Sequence, residues 1–499
     1  MTNTQLDNLD GFEAALTEFT GSYPTYQQTA TLDDLRSGDY GRLDRLGHIY
    51  LDFTGGGLYA ESQLKKHFSL LSDGVFGNPH SINPTSHAMT ERVEQARMSV
   101  LEFFNASPEE YVAIFTPNAS GALKLVGESY PFEPQGRYLL TYDNHNSVNG
   151  IREFARMKGA SIMYTPVTPD EMRIDRTQLT KQLSQAQESQ NNLFVYPAQS
   201  NFSGVQHPLD LCEEAREYGW DVFVDAAAFI PTNQLDLSLW KPDFVSLSFY
   251  KMFGFPTGVG CLLARKSALS KLIRPWFAGG TIQIASVQAD SHYLAEGAAG
   301  FEDGTINYLA LPAVEQGLRH ISSVGIEIVH ERVRCLTGWL LKSLGSQHHK
   351  NGNPLCEIHG PTEIEDRGGT IAFNFLDENG GTFDVRLIEI LAHEASISLR
   401  TGCFCNPGAG EIAFGINKGE IEEYFKGKKG MDFDELRMKF SDQHAREIGA
   451  VRISVGLVTN FADVYHFFEF AQGFLDKSGS DFSSIDRDLA ASRISRDSA

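Results

Sequence analysis

The most constraining feature of the sequence is a regular alternation between residues 111 and 264. Short apolar runs at 111–115, 138–142, 192–196, 221–224, 243–248 and 259–264 each fit a strand buried inside a sheet. Helical periodicity fills the gaps at 119–128, 147–158, 175–187 and 209–218. Alternation of this kind predicts an α/β fold, a mainly parallel sheet covered by helices on both faces. Ligands bind such sheets outside the carboxyl ends of the strands. The strand ends are therefore where function is sought.

The stretch Asp243–Gly260, DFVSLSFYKMFGFPTGVG, carries the most information. Its apolar run leads into Lys251, a charge where the pattern predicts a strand end entering a buried cleft. Gly254, Pro256, Gly258 and Gly260 then turn the chain back into a second apolar run. Alone, such a lysine snorkels to solvent. Buried, it gives up its proton, and a neutral amine forms a Schiff base. Asp225 ends another apolar strand, WDVFVD, where an unpaired carboxylate is very unfavourable and requires a partner. After the first strand, AIFTPNASGALKLVG turns at Thr116–Asn118 and opens a helix at Ala119-Ser120-Gly121. Backbone N–H groups and small polar side chains at a helix start make an anion cup, although a plain N-cap reads the same way. The cup lacks the lysine of a P-loop, so a nucleoside triphosphate is not expected. His145 follows a further strand, and Asn201 sits in the turn-rich loop PAQSNFSG after another.

At 499 residues the chain is long enough for two domains. A formal net charge of -22 argues against a nucleic-acid partner, which requires a basic face. No apolar run reaches the ~18 residues of a membrane span. The N-terminus, MTNTQLDNLDGF, has neither the basic nor the apolar region of a secretory signal. Six cysteines are too sparse for a disulfide framework and point to a reducing, cytoplasmic setting. Their spacing, and that of the histidines, completes no metal site.

The expected organisation starts with an N-terminal arm over 1–45, in which a short helix from Phe12 to Phe19 precedes a loop. A large domain over 46–325 and a smaller α+β domain over 326–477 follow. A disordered Ser/Asp/Arg-rich tail closes the chain over 478–499. HIYLDFTGGG (48–57) reads as a strand ending in a glycine turn, and 86–105 as an amphipathic helix. In the C-terminal part a helix over 326–345 precedes strands at 354–359, 369–375, 396–399 and 450–455. Helices are expected at 383–393 and 460–474, with a helical insertion over 410–447.

A phosphate cup, an acid at one strand end and a lysine at a later one are the parts a pyridoxal 5'-phosphate enzyme requires. With them the sequence resembles the class V aminotransferase family, of the fold type I transferase architecture with its seven-stranded sheet. Within that family it is similar to the N-terminal, cysteine-desulfurase-like domain of molybdenum cofactor sulfurases. Six motifs in order carry the resemblance, between Gly55 and Phe474: FGNPHS (76–81), YPAQSNFSG (196–204), VDAAAF (224–229), SFYKMFGFPTG (248–258), FEDGTIN (301–307) and RTGCFCNPGA (400–409).

The resemblance implies pyridoxal phosphate as cofactor, with Lys251 as its Schiff-base lysine, Asp225 as partner of the ring nitrogen and His145 stacked on the ring. It implies Ala119, Ser120 and Ser248 at the phosphate, Tyr250 and Asn201 among the cofactor contacts, and Thr305 reaching the phosphate of the neighbouring subunit in a homodimer. Asn201, Arg400 and Arg452 are implied to bind the substrate carboxylate, a group the guanidinium fork suits. Cys405 aligns with the cysteine that takes up sulfur, and Cys403 lies two residues before it. Tyr250 and Ala228 replace a histidine and a glutamine of the wider family, and both replacements match the sulfurase branch.

The implied reaction is desulfuration of L-cysteine. Lys251 removes the α-proton, Cys405 takes the sulfur as a persulfide, and alanine leaves. The sulfur would serve molybdenum cofactor sulfuration or another acceptor. The sequence ends before the further C-terminal cofactor-binding domain of the sulfurases, so the expected acceptor is either a separate protein or something else entirely. Gly410-Glu411 also stand where the family carries a third cysteine. Two rivals stay open. One is a C–S or C–C lyase, or a carbon–carbon bond-forming enzyme of secondary metabolism, on the same scaffold. The other is a non-catalytic dimeric scaffold. Two small buried hydrophobes remain the plain alternative for Cys403 and Cys405.

Overall fold

All six apolar runs become strands of one sheet in the computed structural model, which describes residues 3–186, 190–426, 433–444 and 447–482. The sheet has seven strands: β1 (Tyr111–Thr116), β2 (Arg137–Thr141), β3 (Ser161–Thr165), β4 (Asn192–Pro197), β5 (Asp221–Asp225), β6 (Phe244–Ser248) and β7 (Gly260–Arg265). Their order is β1-β7-β6-β5-β4-β2-β3. β7 runs antiparallel to both neighbours, and every other pair is parallel.

Both faces are covered, which is why the strands read as continuous apolar runs. Along β4, Phe194 and Tyr196 enter one core, and Leu193 and Val195 enter the other. The strand the sequence did not reveal is β3. It lies at the sheet edge, paired only with β2, with Ser161 exposed and Ile162 to Tyr164 half-buried, so its apolar signal is diluted. The expected helix 147–158 is broken at Gly150 into Asn146–Asn149 and Ile151–Met157.

The C-terminal part builds a second, antiparallel sheet from β8 (Cys356–His359), β9 (Thr370–Phe375), β10 (Arg400–Gly402) and β11 (Ala450–Ser454), in the order β8-β9-β11-β10. The expected strand 396–399 divides. Ile397-Ser398 pairs in parallel with Ile49-Tyr50, and the chain then shifts so that Arg400–Gly402 joins β11. HIYLDFTGGG therefore lies against this second sheet, with Ser454 N donating to Leu51 O at 2.7 Å. This fixes Asp52 at the junction of the two sheets. Helices Ile326–Gly345 and Phe461–Gln472 pack behind the second sheet.

The N-terminal arm is more helical than the sequence suggests. Asn3–Ser22 is one helix, and the expected loop contains further helical segments at Pro24–Thr29, Thr31–Asp39 and Arg42–Leu46. Their stabilising partners lie far away in sequence. Buried Arg36 donates to the Asp463 carboxylate at 2.5 Å and to Val458 O at 2.7 Å, and Phe19 stacks on Phe461 at 4.5 Å. The region of the expected insertion holds helices Pro407–Ala413, Lys418–Phe425 and Phe433–His444. Of the expected disordered tail, Gly479–Phe482 forms a helical turn with Phe482 against Phe474, and residues 483–499 lie outside the described residues. Among the described residues no helix is long and apolar enough to cross a membrane.

Candidate active site

A cavity of about 180 Å³ opens at the carboxyl ends of β1, β4, β5 and β6. Its lining brings together Ala119, Ser120, His145, Asn201, Asp225, Ser248, Tyr250 and Lys251, with Ala228 beside them. These residues come from segments spread over more than a hundred positions, and parallel topology delivers them to one edge.

The cup forms at the start of helix Ala119–Ser129. Asn118 caps it by accepting from Gly121 N at 2.9 Å. Ala119 N donates to Ser248 Oγ at 2.8 Å, which ties the cup to the end of β6. Ser120 Oγ lies 2.6 Å from Ser147 Oγ. Small hydroxyls and a helix N-terminus at one point suit a phosphate.

Lys251 is not on the strand itself. A one-turn helix, Phe249–Phe253, follows β6 because Phe249, Met252 and Phe253 are buried and hold it down. Gly254, at φ +74°, ends the turn where its backbone packs directly against Leu58 and Tyr59. The lysine Nζ makes no hydrogen bond or ion pair among the described residues. Burial pushes its pKa below the ordinary lysine value, opposed by Asp225 and reinforced by Arg452 and Arg400. The result is a buried, unpartnered amine in a cleft, which gives up its proton more readily than an exposed lysine.

Asp225 accepts through Oδ1 from Ser246 Oγ at 2.9 Å and from Ala227 N at 3.2 Å. Its Oδ2 has no hydrogen-bond partner among the described residues and faces the cavity side of the sheet. His145 accepts at Nδ1 from Ser147 N at 3.1 Å, which leaves the ring proton on Nε2. Burial lowers its pKa, so the ring is a neutral, flat surface suited to stacking.

Asn201 is engaged within the protein. Its amide donates to Phe404 O at 2.7 Å and accepts from Asn406 Nδ2 at 3.0 Å. Both contacts tie the Cys403–Asn406 loop to Asn201, which itself lines the cavity. Asn146 N, next to His145, donates to Cys405 O at 2.7 Å. Phe404 and Cys405 have φ of +54° and +55°, a strained pair for residues with side chains. The Phe404 ring is buried against Phe202 and beneath the Arg452 guanidinium, 4.7 Å away, which offsets that strain. The turn leaves Cys405 exposed and Cys403 half-buried, so the two are not a pair of buried hydrophobes. Burial pushes the Cys403 thiol up to about 12.

The two arginines stand beside the cavity and already share a carboxylate. Asp52 Oδ2 accepts from Arg400 Nη2 at 2.6 Å, and Asp52 Oδ1 accepts from Arg452 Nη2 at 3.1 Å. Thr305 is not in this cavity. It lines a second cavity of about 370 Å³ with Thr116, Gly258 and Asn307, on the other side of the cup.

The donor set fits pyridoxal phosphate. An anion cup, a carboxylate oxygen with no partner, a buried amine with no partner and a flat imidazole, among the described residues, match its phosphate, ring nitrogen, aldehyde and ring face. The comparisons agree. The family model aminotransferase class-V matches residues 49–467, so the chain belongs to the class V aminotransferase family, whose members are pyridoxal phosphate enzymes. Among curated proteins it is similar to the molybdenum cofactor sulfurase of Solanum lycopersicum, 35% identical over 92% of this chain and 59% of that protein. The Bos taurus molybdenum cofactor sulfurase is also 35% identical, over 88% of this chain and 51% of that protein. The chain thus spans between about half and three-fifths of those relatives' length.

Among solved structures, the apo cysteine desulfurase from Thermococcus onnurineus NA1 matches with a TM-score of 0.73 at 22% identity, covering 89% of this chain and 98% of that one. The cysteine desulfurase CsdA from Escherichia coli matches at 0.68 and 19% identity, covering 89% and 99%. At such identities the likeness speaks to the fold, which is fold type I.

Sequence reasoning missed Asp52, Asn406 and Ser147. Asp52 carried a readable signal, a carboxylate at the end of the apolar IYL run before three glycines. Asn406 stands before Pro407 as the N-cap of helix Pro407–Ala413, a position its type and neighbour announce.

Proposed function

We propose that the protein is a cysteine desulfurase-like sulfurtransferase. It moves sulfur from L-cysteine to Cys405 Sγ as a persulfide, releases alanine, and passes the sulfur to molybdenum cofactor or another acceptor. The observation that carries this reading is the exposed Cys405 on a loop anchored to both Asn201 and the residue after His145. A scaffold has no use for that arrangement.

Pyridoxal phosphate, when bound at the cup, Asp225 and Lys251, supplies an electron sink for bonds at the substrate α-carbon. Arg452 and Arg400 orient the substrate carboxylate. Lys251 Nζ, whose pKa burial lowers, takes the α-proton. Cys405 Sγ attacks the substrate sulfur. An S–S bond forms as the C–S bond breaks, and the electron pair stays with the carbon fragment, which takes up a proton and leaves as alanine. A dithiol then reduces the S–S bond with two electrons, releasing sulfide and the free thiol, or an acceptor nucleophile takes the outer sulfur while the S–S bonding pair returns to Cys405 Sγ. In this proposal the working unit is a homodimer in which Thr305 reaches the partner's phosphate. The compartment is a reducing cytoplasm, where free thiols such as these six cysteines persist.

The test is product analysis of the holoenzyme with L-cysteine and dithiothreitol, beside Cys405→Ser. Alanine and sulfide in equal amounts are expected, reduced at least about a hundredfold in the variant. Pyruvate with ammonia, or a fully active variant, would overturn the proposal in favour of a lyase on the same scaffold.

A further inference from the structure

Arg400 and Arg452 are direct Cα partners across the antiparallel pair β10–β11, so their side chains share one face. Like charges placed directly opposite in this way repel, and here the repulsion is strengthened because Arg452 is buried. Asp52 lies between them. Its Oδ2 accepts from Arg400 Nη2 at 2.6 Å and from Arg400 Nε at 3.1 Å, and its Oδ1 accepts from Arg452 Nη2 at 3.1 Å. The carboxylate is rigidly placed. Leu51 and Thr54 on either side bond to Ser454 of β11, and Asp52 O accepts from Gly55 N and Gly56 N at 3.0 and 3.1 Å. Any side chain at Gly55 would collide with both the Asp52 carboxylate and Arg400 Nη2.

The cluster is not saturated. Arg452 Nε is buried without a partner among the described residues, and its Nη1 is held by Asn201 O at 2.9 Å. Arg400 Nη1 has no hydrogen bond among the described residues, and this side chain is half-exposed. Two cations and one anion leave a single uncompensated positive charge, with donors free on both arginines. A buried donor with no partner is a costly arrangement unless a ligand completes it.

We infer that Asp52 is a specificity-determining residue: it holds Arg400 and Arg452 side by side and sets the cluster's charge so that the site accepts an amino acid with one carboxylate and discriminates against one with two. This rests on the proposed role of the two arginines as the substrate-carboxylate site. It goes beyond that role in assigning the discrimination to a residue that need not touch the substrate. Replacing Asp52 by asparagine keeps shape and polarity but leaves two positive charges, which favour a dicarboxylate.

The experiment measures dissociation constants of L-alanine and L-aspartate for the holoenzyme by titration calorimetry, which does not depend on turnover. The wild type is expected to prefer L-alanine. Asp52→Asn is expected to shift the ratio at least about tenfold toward L-aspartate. The double variant Asp52→Asn/Arg400→Gln, which returns the cluster to one positive charge, is expected to restore the wild-type preference. Should Asp52→Asn fail to fold, Arg400→Gln carries the test. It leaves one cation opposite Asp52 and is expected to weaken both ligands, L-aspartate by more than L-alanine; equal weakening of the two would overturn the assignment of the discrimination to the cluster's charge. Arg452→Met separates the two levels of the argument. If it weakens both ligands while Asp52→Asn leaves the ratio unchanged, the Asp52 assignment is overturned and the arginine reading stands. If Arg452→Met changes neither ligand, the arginine reading fails and takes this inference with it.

Discussion

Two thiols two residues apart differ sharply in exposure. Cys405 is exposed, whereas the Cys403 thiol is pushed up to about 12, first by burial and then by Glu411 and Cys405. A thiol that ionises so late holds on the order of one part in 10⁵ thiolate at pH 7, and only the thiolate is nucleophilic. Iodoacetamide at pH 7 is therefore expected to alkylate Cys405 well before Cys403, as read by peptide mass spectrometry. Cys403 labelling should rise only as the pH climbs toward its raised pKa, and early modification of Cys403 would contradict this account. At the same scale, Asp225 was legible because it is a charge ending an apolar strand, and Lys251 because it is a charge three residues past the end of another. Asp52 has the same signature, but its strand is only two residues long and its partners lie 348 and 400 positions away. Local sequence carries no record of such distances.

Among elements, the decisive one is the loop from Cys403 to Asn406 with the helix Pro407–Ala413 behind it. Asn406 fixes it to the large sheet by donating to Asp143 O at 2.7 Å and to Asn201 Oδ1 at 3.0 Å, while its own Oδ1 caps the helix at Ala409 N. Asn406→Ala removes all three contacts and leaves buried partners unsatisfied, at a cost of about 1–3 kcal/mol. Sulfide release is expected to fall at least about tenfold because the thiol is no longer held in place. The visible absorbance of the lysine-bound cofactor should persist, since the cup and Lys251 are untouched. Unchanged turnover would show that the loop needs no such anchor. The central strands were readable because both their faces are buried. The edge strand β3 and the helical segments of the N-terminal arm were not, because edge exposure dilutes one signal and distant packing creates the other. The kink at Leu399, which moves Arg400 from the first ladder to the second sheet, is likewise set by tertiary pairing.

Over the whole molecule, the large sheet supplies the cup, the acid, the imidazole and the lysine, and the C-terminal sheet supplies the thiol and the arginines. The segment around Asp52 and the Asn201–Asn406 contact join the two halves at the cavity. A division of this kind suits a reaction with two parts, activation at the α-carbon and capture of sulfur at the rim. In the proposed reaction sulfur passes through Cys405. The most direct measurement is intact and peptide mass spectrometry of the holoenzyme after brief exposure to L-cysteine carrying a heavy sulfur isotope, without reductant. The account predicts one added heavy sulfur on the Cys405 peptide, released by dithiothreitol and absent from Cys405→Ser. Alanine formed with no sulfur on Cys405, or labelled sulfur on Cys403 instead, would contradict it.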